Sequence, residues 1–318
     1  MKRSFTREER KVYERERKRE QRAKKRKSVN ADAVIGLQNN AENVCFGNVV
    51  MQLLRPLGEF HRQLETACSL NNCVRNLKQV FTKMNEGNSC VRASAHYRAM
   101  KIRDYTVNAQ YDCHEFFNYL LEEVYGSIAN SDCMFTIVTK SFVACGRGVC
   151  GHTTIPTVVS NTCLTLNVHT GACAQSVIGL LRESLKGEYV ADYTCDSCHH
   201  IGSCSKTVTL ENCPSVLLMQ LNLFRNDGEK IKPCLAIERE IDEFGLSVEL
   251  RGVIYHIGGS IDEGHYTCSV KVDGTWYYVN DSIVHREVPT LRCSFNERCV
   301  PYMLMYNRKE VKAMLLSL

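Results

Sequence analysis

Residues 36–54 read GLQNNAENVCFGNVVMQLL and join a polar, asparagine-rich loop to an apolar helix that begins near Cys45. A cysteine at a helix start lies where backbone N–H groups and the helix dipole favour the thiolate. In the loop before it, Asn40 and Asn43 offer amide donors of the kind that stabilise an oxyanion. Cys45 is therefore a candidate nucleophile. The alternative for this stretch is a buried structural cysteine.

A second candidate stretch, residues 258–284, reads GGSIDEGHYTCSVKVDGTWYYVNDSIV. Here His265 starts a strand, the Asp-Gly pair at 273–274 makes a turn, and the returning strand ends at Asn280 and Asp281. Such a hairpin can bring either of these last two residues beside His265. A polar partner on one ring nitrogen leaves the other nitrogen to take a thiol proton, so His265 is a candidate general base. The alternative is a histidine with a purely structural role.

Four cysteines form two pairs with spacings typical of metal ligands. Cys195 and Cys198 have the spacing of a zinc knuckle, and Cys145 and Cys150 form a wider pair upstream. Two such pairs give a closed tetrahedral site of four thiolates, the structural kind of zinc site. A redox CxxC is the alternative, but no strand-to-helix context precedes it. Residues that could substitute for one of these ligands are His152, His199, His200 and Cys204.

The composition is that of a globular protein: the chain has 318 residues, of which 44% are hydrophobic. No run of about 18 apolar residues is present, so no membrane-spanning helix is expected. The charged N-terminus has no apolar segment of the kind that directs secretion. The 18 cysteines are then expected in a reducing compartment, the cytoplasm or the nucleus, as thiols, metal ligands or a nucleophile.

The net charge of +5 is divided unevenly along the chain. Residues 1–30 carry 14 Lys or Arg against 5 Glu, whereas the rest carries 26 basic against 30 acidic residues. Residues 1–32 are too polar to bury a stripe and are expected to be a solvated helix or a disordered arm. The run at 24–27, KKRK, indicates a contact with nucleic acid or an import factor. A solubilising tail is the alternative.

Helical patterns come before strand patterns in the body, residues 33–307. Residues 45–57 and Asp112–Val124 have apolar residues at helical spacing, and Asp112 is a good N-cap for the second helix. From about Ser141 onward, β-branched runs are separated by Gly and Asn, and this order is typical of an α+β protein with segregated halves. Residues 308–318 form a short C-terminal tail. The predicted strands are Thr207–Leu210, Val216–Leu223, Val248–Ile257, Tyr266–Val272 and Trp276–Val279.

Taken in order, these blocks resemble the motifs of the ubiquitin-specific proteases, a papain-like family of cysteine peptidases. The resemblance covers roughly residues 34–307. Residues 110–116, QYDCHEF, are similar to the family's QxDAxEF segment. The letters that match its Cys box, approximately GLxNxGNTCYxNSxLQ, are Gly36, Leu37, Asn43, Cys45, Asn48 and Gln52. Those that match its His box are Gly264, His265, Tyr266, Trp276, Tyr277, Asn280, Asp281 and Val284.

The resemblance implies a hand-like fold, in which a helical thumb and a β-rich palm meet at the active-site cleft. Zinc-bearing fingers, about residues 141–215, would grip ubiquitin. The implied activity is hydrolysis of the bond between ubiquitin's C-terminal glycine and a target lysine or another ubiquitin. The implied partners are ubiquitin and ubiquitinated proteins, with no membrane. One structural zinc ion, held by Cys145, Cys150, Cys195 and Cys198, is the implied cofactor, and no catalytic cofactor is expected.

Individual roles follow from the same resemblance. Asp112 and Glu115 match acidic positions that face the arginine-rich tail of ubiquitin, and Tyr266 belongs to the implied substrate-binding set. For Asp112, a plain helix cap fits equally well. The implied catalytic residues are Cys45 as nucleophile, His265 as general base, Asn280 as orienting residue, Asp281 as auxiliary partner and Asn40 as oxyanion donor.

The Cys box departs from the family pattern in ways that bear on activity. The stretch from Gly36 to Cys45 is one residue longer, and Glu42 stands where the family has a glycine. A glycine at that position allows a positive φ or a close approach of the substrate backbone. The added residue is expected to shift Asn40, and loss of an oxyanion donor costs roughly 10²–10³ in rate.

Two alternatives to an active protease stay open. One is a catalytically weak or inactive pseudo-protease that binds ubiquitin without cutting it. The other is a zinc protein that binds nucleic acid through its basic tail, which leaves the Cys and His boxes without a role.

Overall fold

The computed structural model describes residues 34–86, 90–100, 109–128, 132–170, 174–225, 228–260, 263–293 and 299–310. The basic tail predicted over residues 1–32 lies outside the described residues, as do residues 311–318 of the C-terminal tail.

The described part of the N-terminal half is helical. Every residue of the first helix is buried, which accounts for its almost unbroken apolar run. This helix was predicted to reach residue 57 but ends at Leu54, because Pro56 has no N–H with which to continue it. The helices are α1 Cys45–Leu54, α2 Gly58–Thr66, α3 Asn72–Glu86, α4 Ser94–Ala99, α5 Cys113–Tyr125 and, among the later strands, α6 Val177–Leu185.

The predicted cap of α5 is confirmed. Asp112 has an extended backbone and is the N-cap residue, and its Oδ1 accepts hydrogen bonds from the backbone N–H groups of His114 at 2.6 Å and Glu115 at 3.2 Å. These N–H groups have no acceptor inside the helix, so the side chain fixes where α5 starts.

The largest sheet provides the core of the strand-rich half. Its strands are β3 Leu164–Asn167, β7 Val216–Asn222, β9 Glu240–Ile241, β10 Val248–Ile257, β11 His265–Val272, β12 Thr275–Asn280, β13 Ile283–Arg286 and β15 Cys299–Arg308. Their order is β13-β12-β11-β10-β15-β7-β3, with β9 paired to β10. All the pairs are antiparallel except that of β3 with β7. Residues 300–306 of β15 are buried without interruption, as expected for a strand covered on both faces.

Helix α1 lies between this sheet and α5. On one side, Leu53 fits over Gly252 of β10, where a Cβ would lie 3.0 Å from Leu53 Cγ. On the other side, the ring of Phe46 meets that of Phe116 edge to face at 5.1 Å. This packing brings the N-terminus of α1 to the start of β11.

A separate four-stranded antiparallel sheet, ordered β2-β1-β6-β5, lies largely within the segment predicted as fingers, about residues 141–215, which also contains β3, β4 (Gln175–Ser176) and α6. It consists of β1 Ile137–Ala144, β2 Thr157–Asn161, β5 Glu188–Thr194 and β6 Ile201–Leu210. The short strands β4 Gln175–Ser176, β8 Leu235–Ala236 and β14 Arg292–Cys293 form a third sheet.

The α+β prediction is confirmed, and each of the five predicted strands coincides with an observed strand or part of one. The five predicted strands account for β6, β7, β10, β11 and β12, and the other described strands, including the ten-residue β15, were not individually predicted. Of these, β2 is exposed along its whole length and lacks the alternation that marks a half-buried strand. Among the described helices, none has the length and hydrophobicity needed to cross a membrane.

Candidate active site

The structure brings Cys45 and His265 together although they are far apart in the sequence. Cys45 is the first residue of α1 and is only 2% exposed, and His265 is the first residue of β11. The two side chains lie close enough for Cys45 to raise the pKa of His265. The first N–H groups of α1 have no acceptor within the helix and provide a positive environment at the sulfur.

The β11–β12 hairpin supplies the partners of the imidazole. Its two-residue turn has positive φ at Asp273 and Gly274, the conformation that an Asp-Gly pair favours. Asn280 Oδ1 lies 2.8 Å from His265 Nε2, whereas Asp281 Oδ2 lies 3.8 Å from the same nitrogen. The sequence left both residues open as partners, and in the structure Asn280 makes the hydrogen bond while Asp281 supplies a nearby charge.

Several interactions act on the protonation of His265. Burial disfavours the imidazolium, but the proximity and charge of Cys45, the charge of Asp281 and the hydrogen bond of Asn280 outweigh it and raise the pKa of His265 to about 10. The imidazole is therefore protonated at neutral pH and can give a proton to a leaving group.

Asp281 also links the hairpin to the loop before α1, residues 36–44, called the Cys loop below. Its Oδ1 accepts from Asn48 Nδ2 at 2.8 Å, its Oδ2 accepts from Asn39 Nδ2 at 2.9 Å, and its carbonyl accepts from the N–H of Leu37 at 2.9 Å. These contacts join the elements that carry Cys45 and His265. Asp281 is thus a structural bridge as well as a charge.

The Cys loop is one residue longer than the family pattern, and three of its residues have left-handed backbone. Asn40, Ala41 and Asn43 have positive φ, at 23°, 58° and 54°, whereas Glu42, at the family's glycine position, does not. A non-glycine residue in this region costs about 1 kcal/mol or more. Asn40 is exposed and its Nδ2 donates to Gln38 at 3.2 Å, so the structure does not bring it to Cys45.

Sequence reasoning missed Asn39. Its Oδ1 accepts from the N–H of Val44 at 3.0 Å while its Nδ2 donates to Asp281. It therefore ties the last residue before the nucleophile to the hairpin. The sequence contained a signal for it. When the family motif is aligned from Gly36 and Leu37, its asparagine falls on Asn39, whereas alignment from Cys45 backward places that asparagine on Asn40.

The predicted substrate-binding residues lie around the start of α5. Asp112 Oδ2 accepts hydrogen bonds from the hydroxyl groups of Tyr302 and Tyr266, the latter at 3.5 Å. Glu115, in the first turn of the helix, is exposed. Asp112 therefore caps α5 and holds two phenols. Contact with a substrate stays a prediction for all three predicted residues, Asp112, Glu115 and Tyr266.

The four predicted cysteine ligands meet beside the finger sheet. The sulfur atoms of Cys145, Cys150, Cys195 and Cys198 lie within 4.8 Å of one another and could hold a metal ion. The Cys145–Cys198 and Cys150–Cys195 sulfur distances are 3.8 and 3.9 Å. A tetrahedral site with Zn–S bonds of about 2.3 Å has sulfur atoms about 3.8 Å apart, so the cluster fits zinc. Hydrogen bonds from the N–H groups of Cys198 and Ser197 lower the pKa of Cys195 to about 6.

The residues proposed as substitute ligands are not in this cluster. Cys204 Sγ lies 3.6 Å from the carbonyl oxygen of Val190. The group of possible metal ligands found among the described residues does not include His152, His199 or His200.

Comparison with known proteins identifies what this arrangement resembles. The family model described as ubiquitin carboxyl-terminal hydrolase matches residues 35–306. Ubiquitin carboxyl-terminal hydrolase 11 of Schizosaccharomyces pombe is 26% identical over 281 residues, covering 79% of each chain. The probable ubiquitin carboxyl-terminal hydrolase 16 of the same organism is 24% identical over 322 residues, covering 86% of this chain and 67% of the relative.

The fold is shared with a solved structure of the SAGA DUB module, which contains Ubp8, Sgf11, Sus1 and Sgf73 bound to monoubiquitin. The matching chain has a TM-score of 0.73 and 19% sequence identity, and the alignment covers 92% of the present chain and 74% of that chain. The predicted arrangement of thumb, palm and fingers is thereby confirmed at the level of the fold.

Proposed function

This chain belongs to the ubiquitin carboxyl-terminal hydrolase family, and on that premise we propose that it is a thiol-dependent deubiquitinase. It hydrolyses the bond between ubiquitin's C-terminal glycine and a lysine of a target protein or of another ubiquitin. The observation that carries the proposal is the juxtaposition of buried Cys45 at the start of α1 with His265, whose Nε2 lies 2.8 Å from Asn280 Oδ1.

In the first half of the reaction, Cys45 Sγ forms a bond to the carbonyl carbon of ubiquitin's terminal glycine. The N–H groups at the start of α1 hold the negative oxygen, and Asn40 joins them once its amide leaves Gln38. The C–N bond then breaks, and the His265 imidazolium gives its proton to the departing amine. The product is a thioester between Cys45 and ubiquitin.

In the second half, His265 takes a proton from water as the water oxygen attacks the thioester carbonyl. The bond to Cys45 breaks, which releases ubiquitin with a free carboxylate and restores the thiolate. Asn280 keeps the ring oriented in both steps, because its Oδ1 accepts a hydrogen bond from Nε2 and leaves Nδ1 for the proton transfers.

The test is a ubiquitin probe with an electrophile at its C-terminus. Wild-type protein is expected to form a covalent adduct, mapped to Cys45 by peptide mass spectrometry, and to release aminocoumarin from a ubiquitin–aminocoumarin conjugate. Cys45→Ala is expected to abolish both reactions while it retains binding of free ubiquitin. A folded protein that binds ubiquitin but forms no adduct would show that the chain is not a protease.

That outcome would favour the alternative, a ubiquitin-binding pseudo-protease. The lengthened Cys loop supports it, because Asn40 is exposed and bonded to Gln38 rather than directed at the nucleophile. The placement of the catalytic pair supports the enzyme instead, since a binding module has no need of a buried cysteine beside a protonated imidazole.

We also propose that the four-cysteine cluster binds one structural zinc ion. The thiolate donors match zinc chemistry, and a closed set of four sulfur ligands leaves no coordination position for a substrate. The ion would hold β1 and the start of β6 together through their adjoining loops. Metal analysis of purified protein is expected to give about one zinc per chain, less than a tenth of that in Cys195→Ser, and full occupancy in Cys204→Ser. Equal zinc in all three proteins would refute this assignment.

Residence in the cytoplasm or nucleus is a further proposal, supported by the abundance of free thiols. So is a contact of the basic tail with nucleic acid or an import factor. Fluorescence microscopy of the full chain and of a chain without residues 1–32 tests both: loss of nuclear signal on deletion is expected if the tail acts as an address.

A further inference from the structure

Glu42 is the residue of the Cys loop that departs most from the family pattern, and its side chain has a defined environment. Its neighbours Ala41 and Asn43 both have left-handed backbone, so Glu42 lies between two residues in unfavourable conformations. Its side chain is nevertheless only 14% exposed, because it turns away from solvent toward the helical half.

The Glu42 carboxylate is held by residues in and just before α4. Its Oε1 lies 2.6 Å from Arg92 Nη2 and 3.7 Å from Arg98 Nη1. Ser94, a buried residue of α4, lies beside the carboxylate, whose buried Oε2 has no hydrogen-bond partner among the described residues. Arg92, together with Ser94 and the charge of Arg98, holds the pKa of Glu42 below its ordinary value, so the group is ionised at neutral pH.

The same segment also holds the beginning of the loop. Val91, next to Arg92, accepts from the N–H of Gln38 at 2.8 Å and donates to the carbonyl of Gly36 at 3.0 Å. On its opposite side the loop is tied to Asp281. The Cys loop is therefore fastened between the helical half and the hairpin that carries the general base.

We propose that Glu42 is a positioning residue of the active site, whose ion pairs with Arg92 and Arg98 hold the strained Cys loop in its catalytic shape. While Glu42 is held, Asn39 keeps its hydrogen bonds with the Asp281 side chain and the N–H of Val44. Cys45 then keeps its place against His265. A glycine adopts a left-handed loop without strain, whereas this longer loop relies on an anchored carboxylate. The effect on turnover rests on the proposed hydrolase function, but the effect on loop geometry does not.

The alternative is a plain surface ion pair that contributes nothing to the site. Arg92 and Arg98 are 55% and 36% exposed, so the pair adds little to global stability. A positioning role predicts a different result: a local change at Val44 and Cys45 with almost no change in melting temperature. The pair between Glu59 and Arg62 of α2, whose side chains are 43% and 73% exposed, provides a control for a plain surface ion pair.

The experiment compares Glu42→Gln, Arg92→Gln, the double variant and Glu59→Gln. Glu42→Gln is expected to lower kcat for ubiquitin–aminocoumarin 10- to 100-fold with KM within twofold of wild type. Arg92→Gln is expected to lower kcat less, and the double variant no further than Glu42→Gln alone, because both changes remove the same contact. Glu59→Gln is expected to match wild type.

Two measurements decide the inference without turnover. In Glu42→Gln, hydrogen exchange at the Val44 amide is expected to accelerate at least tenfold, and iodoacetamide is expected to alkylate Cys45 at a rate at least fivefold different from wild type. If wild-type protein does not turn over the conjugate, the proposed function fails while these measurements still test Glu42. Exchange and alkylation within twofold of wild type, or equal changes in Glu59→Gln, would overturn the inference.

Discussion

Replacing Asp281 by asparagine removes a negative charge that lies 3.8 Å from His265 Nε2, with almost no change in side-chain size. Two unit charges at this distance interact by about 4 kcal/mol at an effective dielectric of 20 and by about 1 kcal/mol in water. The side chains of Asp281 and His265 are 14% and 31% exposed, so a value near 2 kcal/mol is reasonable. That value corresponds to a fall of about 1.5 in the pH at which His265 loses its proton.

The assay is the pH dependence of kcat/KM for ubiquitin–aminocoumarin between pH 6 and 10.5. The departing amine takes its proton from the imidazolium, so activity declines as pH rises through the pKa of His265, which is about 10 in the wild-type protein. Asp281→Asn is expected to move this alkaline limb down by about 1.5 pH units.

Asn280→Ala is the comparison that separates charge from hydrogen bonding. It removes the 2.8 Å bond but no charge, and its contribution to the raised pKa of His265 is smaller than that of Asp281. We expect it to lower kcat/KM but to move the limb by less than Asp281→Asn does. The reasoning is refuted if Asp281→Asn moves the limb by less than 0.3 pH units, or if Asn280→Ala moves it further. Melting temperatures at each pH show that both variants are folded.

Three further substitutions test the packing around the site. Gly264→Ala is expected to lower kcat about 100-fold while the protein stays folded by circular dichroism. The added Cβ would lie 2.2 Å from His256 Nε2 and would displace the next residue, the general base His265. A near-normal kcat would contradict this. Tyr302→Phe removes a hydrogen bond to the Asp112 side chain and is expected to lower the free energy of unfolding in urea by about 1.5 kcal/mol. An unchanged urea midpoint would show that this bond is not stabilising. Asn48→Ala removes the 2.8 Å hydrogen bond to Asp281 from a position that is 2% exposed. The free energy of unfolding in urea is expected to fall by about 2–3 kcal/mol, and kcat is expected to fall as well. A fall below about 0.5 kcal/mol would count against the role of Asp281 as a bridge.

Much of the fold could be predicted from the sequence because its signals are local. The apolar spacing after Cys45 and the Asp112 cap define their helices within a few residues of the chain. The Asp-Gly pair at 273–274 fixes a two-residue turn, which in turn sets which residues of the hairpin stand near His265. Strand β2 gave no such signal, since an exposed edge strand has no buried face to alternate with.

The candidate site likewise contains features that sequence patterns predicted and features that they did not. The motif order predicted that Cys45 and His265 meet, and the paired spacings predicted the four-cysteine group, whose sulfur atoms do converge. The oxyanion assignment to Asn40 stays a prediction. In the structure it is exposed, and the neighbouring Asn39 makes the contacts to the hairpin.

The sequence by itself determined which residue types stand at the helix start, the hairpin and the cysteine pairs, because periodicity, caps and turns depend on neighbours in the chain. Only the tertiary structure decided that Asn280 lies 2.8 Å from His265 while Asp281 lies 3.8 Å away and binds Asn39 instead. It alone paired Glu42 with Arg92 across the fold. A difference of 1 Å depends on how α1 packs between β11 and α5, and such packing involves residues more than 200 positions apart, for which no local pattern carries information.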